Sequence, residues 1–242
     1  MRGRPTSVRP GPRAPIGWGS VSKPGGGTRS LVRLDANDDR AYSRAVSRVV
    51  PLIDRARGPT AIANRVARVD PTGFVLSPWG PARRRCDRAK DRLLSGSRAV
   101  AVTDVRDCYA SIAPDIAVAR LLALGAPTDT VRAIAGWLRA FEEEGIRGLP
   151  VGPVASAILA DAVLAAGDLA LRQAGWRHLR WVDDVAIFTD GRRAAASALD
   201  ALRAAWTPLG LELHPGKTCI LDPDGADVRL DGTSTSGPRA LR

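Results

Sequence analysis

From residue 35 onward the chain moves between two spacings of apolar side chains. Over 35–57 they fall at Val46, Val49, Val50 and Ile53, three and four residues apart, which predicts a helix with one buried face. The stretches 60–69 and 82–94 are read as further helices. The second carries Arg83, Arg84, Arg85, Arg88, Lys90 and Arg92. Residues 99–104 (AVAVTD) form a compact β-rich run ending in a carboxylate. Helical spacing returns over 114–124 and over 129–141, where Val131, Ile134, Leu138 and Phe141 share one face. An Ala-rich helix is predicted for 153–173, with Pro153 in its first turn. Two strands, 178–182 and 185–189, are joined across Asp183-Asp184. A helix follows over 193–206, with Leu199, Leu202 and Trp206 on one face, and then short strands at 211–213 and 218–221. From residue 99 the order strand, helices, hairpin, helix, strand is a split βαβ pattern. It predicts an α+β fold in which helices cover one face of an antiparallel sheet. No internal repeat is visible.

Upstream, residues 1–34 hold no acidic side chain but seven basic ones and five prolines. Residues 1–16 read as a flexible basic arm. The glycines at 25–27 lie between two short candidate strands, as in a hairpin. At 45% hydrophobic residues the chain can bury a real core and is too apolar to be disordered throughout. The apolar stretch 155–171 is broken by Asp161 and Asp168, so no membrane span and no membrane partner are expected. The N-terminus has no apolar secretory segment. Cys86, Cys108 and Cys219 show no metal-binding spacing and are an odd number for a disulfide scaffold, as in a reducing cytoplasm, the expected location. The net charge of +11 points to a polyanionic partner, most simply nucleic acid. Arginine outnumbers lysine 33 to 3. Each of Lys23, Lys90 and Lys217 is therefore an exception to the chain's usual choice of cation.

Asp183-Asp184 is the first feature whose chemistry needs explaining. Two adjacent carboxylates in a hairpin that is otherwise apolar repel each other and lose hydration. A divalent cation would relieve both penalties, although Asp-Asp alone is also ordinary turn chemistry. Asp104 ends another apolar strand, and a split βαβ sheet can lay that strand beside the hairpin. Three carboxylates at one sheet edge would suit a pair of Mg²⁺ ions about 4 Å apart.

At these residues the chain resembles the reverse transcriptases. Thr103-Asp104-Val105-Arg106-Asp107-Cys108-Tyr109 is similar to the family's first catalytic motif, an Asp followed five residues later by an aromatic. Gly148-Leu149-Pro150-Val151-Gly152 resembles its GLPxG turn, and Trp181-Val182-Asp183-Asp184 its aromatic-x-Asp-Asp hairpin. Leu209-Gly210-Leu211-Glu212-Leu213 with Lys217 resembles the motif that follows. Lys23-Pro24-Gly25-Gly26-Gly27-Thr28-Arg29 resembles the fingers hairpin. The likeness spans roughly 20 to 221, with all five motifs in the family's order. It is closest to the bacterial branch, and the Gly152-Pro153 form and small size favour phage-defence enzymes.

The resemblance implies a right-hand polymerase palm at 99–225, with a helical fingers-like part near 114–146, fingers at 17–98 and a polar tail at 226–242. It implies an RNA-directed DNA polymerase that adds dNTPs to a nucleic-acid primer on an RNA template, using two Mg²⁺ ions or Mn²⁺ in their place. Asp104, Asp183, Asp184 and the Val105 carbonyl would hold the metals. Tyr109 would lie under the nucleotide sugar and leave no room for a 2′-hydroxyl. Lys23 and Arg29 would grip the triphosphate, and Gly148, Val151 and Gly152 would line the nucleotide and template. Lys217 would protonate the departing pyrophosphate, a task for which the arginine pKa is too high.

Two residues depart from the family pattern. Val151 stands where Gln is common, and Trp181 where Tyr or Phe is usual. No thumb is evident, so low processivity is expected unless a protein partner or second copy grips the duplex. Untemplated or protein-primed DNA synthesis, and an inactive nucleic-acid-binding subunit, are the rival readings. His178, His214, Trp137 and Trp206 are assigned structural roles.

Overall fold

The computed structural model describes residues 11–22, 27–70, 72–223, 228 and 230. Strands β1 (Gly17–Ser22) and β2 (Thr28–Arg33) pair antiparallel, from Gly17↔Arg33 to Ser22↔Thr28. The single helix expected over 35–57 is two, α1 (Ala36–Ser47) and α2 (Val50–Arg57). Asp35 caps the first by accepting the N–H groups of Asn37 and Asp38. Pro51 lies in the first turn of the second, where a missing N–H can begin a helix but not continue one. Residues 11–16, expected within a flexible arm, are tied to α1. The N–H groups of Arg13 and Ala14 donate to Asp38 Oδ2 at 2.8 and 3.0 Å, and Ile16 packs against the core.

The helix expected at 60–69 is instead a loop and a hairpin, β3 (Val66–Asp70) with β4 (Gly73–Leu76). Two features override the helical reading. Asn64 adopts a left-handed φ of 54°, and the loop's own backbone is claimed by another element: Ile62 N–H donates to Arg180 O, and Arg180 N–H to Thr60 O, both at 2.9 Å. Helix α3 (Trp79–Leu94) leads into β5 (Ala99–Thr103). A short turn of helix, α4 (Cys108–Ser111), precedes α5 (Pro114–Ala123), α6 (Thr128–Glu143) and α7 (Val154–Gln173). The hairpin β6 (Arg177–Trp181) and β7 (Asp184–Thr189), helix α8 (Arg192–Trp206) and strand β8 (Cys219–Leu221) complete the order. The strand expected at 211–213 does not form. Leu213 makes a single bridge to Val105, because Pro215 and a 3-10 turn over Pro215–Lys217 follow at once.

The main sheet is antiparallel, in the order β6-β7-β5-β8. Both its faces are covered, not one. Ala99, Ala101, Val185 and Ile187 join the large core that also holds α7 and α8, while Val100, Val102, Leu179, Ala186 and Phe188 face Ala82 and Cys86 of α3. Period-2 alternation allows this because every residue of β5 and β7 is buried, so each strand has two apolar faces to cover. Val228 and Leu230, expected within a polar tail, are buried in this second cluster. Their carbonyls accept from Lys90 Nζ and Arg83 Nη1.

Helix α7 runs through the core. It is long and apolar enough to cross a membrane, but most of it is buried inside the protein. At Gly167 a Cβ would meet Trp206 Nε1 at 2.5 Å, so glycine sets how closely α7 and α8 approach. Trp206 is fully buried and donates to Leu164 O at 3.2 Å.

Candidate active site

Strand β5 ends at Thr103, which pairs with Val185, so Asp104 stands one register step further on, opposite Asp184. The backbone around Asp104 is held from the far side. His214 N–H donates to Asp104 O at 2.7 Å and Arg106 N–H to Glu212 O at 2.9 Å. The Thr218 hydroxyl donates to His214 O at 2.8 Å and so accepts from Thr103 Oγ1 at 2.7 Å. This stitching carries the 3-10 turn, and with it Lys217, onto the Asp104 carboxylate. Lys217 Nζ forms an ion pair with Asp104 Oδ2. Burial pulls the lysine pKa down, but the bond to Asp104 and the charges of all three aspartates outweigh it and hold the ammonium above its ordinary range.

The two sides of the site meet at Asp104 and Asp183. Burial, then the Asp104 and Asp184 charges and a hydrogen bond with Asp104, push the Asp183 carboxyl up to about 8. Asp104 is buried and its Oδ1 has no hydrogen-bond partner among the described residues. Such an orphaned, water-excluded carboxylate oxygen is costly. A divalent cation between Asp104 and Asp183 would satisfy the oxygen and cancel the repulsion, so these residues fit a metal. No group of three His, Cys, Asp or Glu side chains among the described residues is disposed to hold an ion. The charges of Asp104 and Asp184 both bear on Asp183, and Asp184 is buried at the start of β7.

The other residues singled out in the sequence lie around this pair. Val105 is buried and bridged to Leu213. Tyr109 is half-buried on α4. Its phenol is pushed above its ordinary pKa by burial, then by Cys108, Asp161 and Asp183, while the Arg29 charge pulls the other way. Arg29 is exposed on β2, opposite Val21. Lys23 lies outside the described residues. Gly148 and Gly152 do permit close approach, but to the chain's own backbone. A Cβ at Gly148 (φ +70°) would stand 2.3 Å from Tyr109 O, and one at Gly152 (φ +130°) 2.3 Å from Val32 O. The turn between them is docked the same way, with Leu149 N–H donating to Tyr109 O at 2.8 Å and Val32 N–H to Val151 O at 2.7 Å. The glycines therefore fasten the turn to α4 and to the β1–β2 hairpin. Trp181 is buried, edge-on to exposed Trp79 at 5.9 Å, with the Arg83 guanidinium 5.4 Å over its ring.

The sequence reading passed over Arg180, Asp161 and Asp168 as chemistry. Arg180 is fully buried and reaches both aspartates of α7. The signal was available: two acids seven residues apart share one helix face, and an arginine stands two residues before the hairpin turn.

A central strand whose terminal aspartate meets the Asp-Asp of a neighbouring hairpin, on an antiparallel sheet backed by helices, is the palm of a nucleotide polymerase. The family model described as reverse transcriptase (RNA-dependent DNA polymerase) matches residues 21–228. The chain belongs to the reverse transcriptase family. No curated protein matches it.

Proposed function

We propose that this protein is an RNA-directed DNA polymerase, adding dNTPs to a primer 3′ end on an RNA template by two-metal nucleotidyl transfer. The observation that carries the reading is the buried, unpartnered Oδ1 of Asp104, a carboxylate whose charge, with that of Asp184, bears on Asp183. Asp104 and Asp183 would hold Mg²⁺, or Mn²⁺ in its place, with Asp184 adding charge and the Val105 carbonyl a further oxygen. Bound there, the ions supply activation of the primer hydroxyl and neutralisation of charge on the leaving phosphate.

The chain's own residues do the rest. Tyr109 lies under the sugar of the incoming nucleotide and excludes a 2′-hydroxyl. Arg29 and Lys23 bind the triphosphate through charge-assisted hydrogen bonds. Lys217, held at Asp104 in its protonated form, gives its proton to the departing pyrophosphate. Primer extension on RNA with dNTPs and Mg²⁺ tests the reading. Wild-type protein is expected to extend the primer and Asp183→Ala to fail while still binding RNA. Equal extension by both would remove the metal assignment, and extension with template omitted would favour untemplated synthesis.

A further inference from the structure

The turn that presents Asp183 is built on an unfavourable residue. Val182 has φ +56°, the left-handed region, which a β-branched side chain adopts only under strain. Such a conformation persists only where surrounding contacts over-determine it. Here one contact is specific: Arg180 Nη1 donates to the Val182 carbonyl at 2.5 Å.

That guanidinium has little freedom. Its Nε donates to both oxygens of Asp168 at 3.0 Å and its Nη2 to Asp168 Oδ2 at 2.7 Å, while Nη1 also donates to Asp161 Oδ1 at 2.7 Å. The aspartates are anchored in turn. Asp161 Oδ2 accepts from Arg57 Nη1 at 2.5 Å, and Arg57 donates onward to Ala63 O and Asn64 O. His178 Nε2 lies 3.4 Å from Asp168 and 2.9 Å from Thr60 Oγ1. The Arg180 backbone is pinned on both sides to Thr60 and Ile62. Two guanidinium groups and two carboxylates balance in charge, all of them buried. A neutral core pair could fill the same volume with less desolvation. The ionic form offers something an apolar one lacks, namely a rigid donor aimed at one carbonyl of the turn.

We propose that Arg180 is a positioning residue: clamped by Asp161 and Asp168 of α7, it holds Val182 in its left-handed conformation and thereby aims the Asp183 carboxylate at Asp104. This rests on the metal-binding reading above. Lysine at 180 keeps the charge but cannot serve Asp168, Asp161 and Val182 O together, because it lacks the planar fork. Glycine at 182 takes the left-handed conformation without strain and needs no clamp.

The test is Mn²⁺ binding to the full chain, followed by electron paramagnetic resonance, with thermal melts to confirm folding. Arg180→Lys is expected to bind Mn²⁺ about tenfold more weakly, and adding Val182→Gly to restore affinity to within about threefold of wild type. A purely structural Arg180 would not be rescued by a change in the turn. Wild-type affinity in folded Arg180→Lys, or a loss that Val182→Gly leaves untouched, overturns the proposal. Should Arg180→Lys not fold, the isosteric Asp168→Asn takes its place. Several-fold weaker Mn²⁺ binding then supports the clamp, and unchanged binding overturns it. Absence of Mn²⁺ binding by wild-type protein would sink the metal reading itself, a different result from either.

Discussion

The protein gathers aspartates in two neighbouring places and treats them in opposite ways. Asp161 and Asp168 lie in the core of α7, where every charge has a partner: Arg57 and Arg180 satisfy them with short hydrogen bonds. Asp183 lies just beyond Arg180 in the chain, near Asp104 at the end of β5, and there the balance fails. Lys217 covers one oxygen of Asp104, another has no donor, and Asp183 is driven toward its neutral form. Both clusters carry the desolvation cost of buried charge. The first has been neutralised by the fold. The second remains short of positive charge, and that deficit is where a cation can bind. Completed ion pairs mark structure, and an incomplete set beside them marks chemistry.

Emptying the deficient cluster should give the largest effect on activity. Asp183→Ala is expected to abolish nucleotide incorporation in primer extension while the protein still folds and binds RNA. In EDTA, wild-type stability should fall as pH rises from about 4 toward 8. The folded state holds a proton on Asp183 that the unfolded chain releases near 3.8, and that advantage is lost through about 8. Asp183→Asn should flatten this slope, and a slope unchanged by the variant would refute the assignment. The completed cluster should respond in the reverse sense. Asp161→Ala leaves Arg57 and Arg180 short of a carboxylate and is expected to cost about 3–5 kcal/mol in urea unfolding.

Much of this contrast was legible before the structure, but unevenly. Strands β5, β6 and β7 and helices α5 to α8 stood out because their apolar periodicity is long and unmixed, and the Asp-Asp between two apolar strands cannot be read as ordinary core. The β3–β4 hairpin was not legible. The sequence Ile62-Ala63-Asn64-Arg65-Val66 suits a helix locally, and only pairing with Arg180, more than a hundred residues away, turns it into a loop. The same separation hid the ion network, since Asp161 and Asp168 read as mere interruptions of an apolar run. Gly148 and Gly152 were visible as glycines, but the backbone they make room for, at Tyr109 and Val32, comes from elsewhere in the fold.

Two substitutions sharpen the roles assigned at the rim of the deficient cluster. Lys217→Arg keeps the positive charge at Asp104 but holds its proton too tightly to release it. The single-turnover rate of incorporation should fall by ~10²-fold, the low end of the contribution of a general acid. An unchanged rate would leave Lys217 as a counter-ion only. Tyr109→Val opens the space under the sugar and should raise ribonucleotide use relative to dNTPs by ~10-fold, the scale of discrimination by shape alone. Unaltered discrimination would remove Tyr109 from that role.

The smallest expected effect is a pH slope that belongs to the completed cluster. Burial alone would raise the Asp168 carboxyl, but the Arg180 charge, with hydrogen bonds from His178 and Arg180, outweighs it and holds the group below its ordinary value. The unfolded chain therefore takes up a proton at Asp168 before the folded protein does. The stability this carboxylate contributes is complete above about pH 4 and is lost as pH falls through the lower, folded value. Asp168→Asn keeps the shape and removes the titration. At neutral pH it should be the less stable protein. On acidification below 4 the gap to wild type should close, with a slope of at most about 1.4 kcal/mol per pH unit. A gap that stays constant from pH 7 to 3 would mean that Asp168 is not held ionised by Arg180. The distinction between a neutralised cluster and a deficient one would then lose its physical basis.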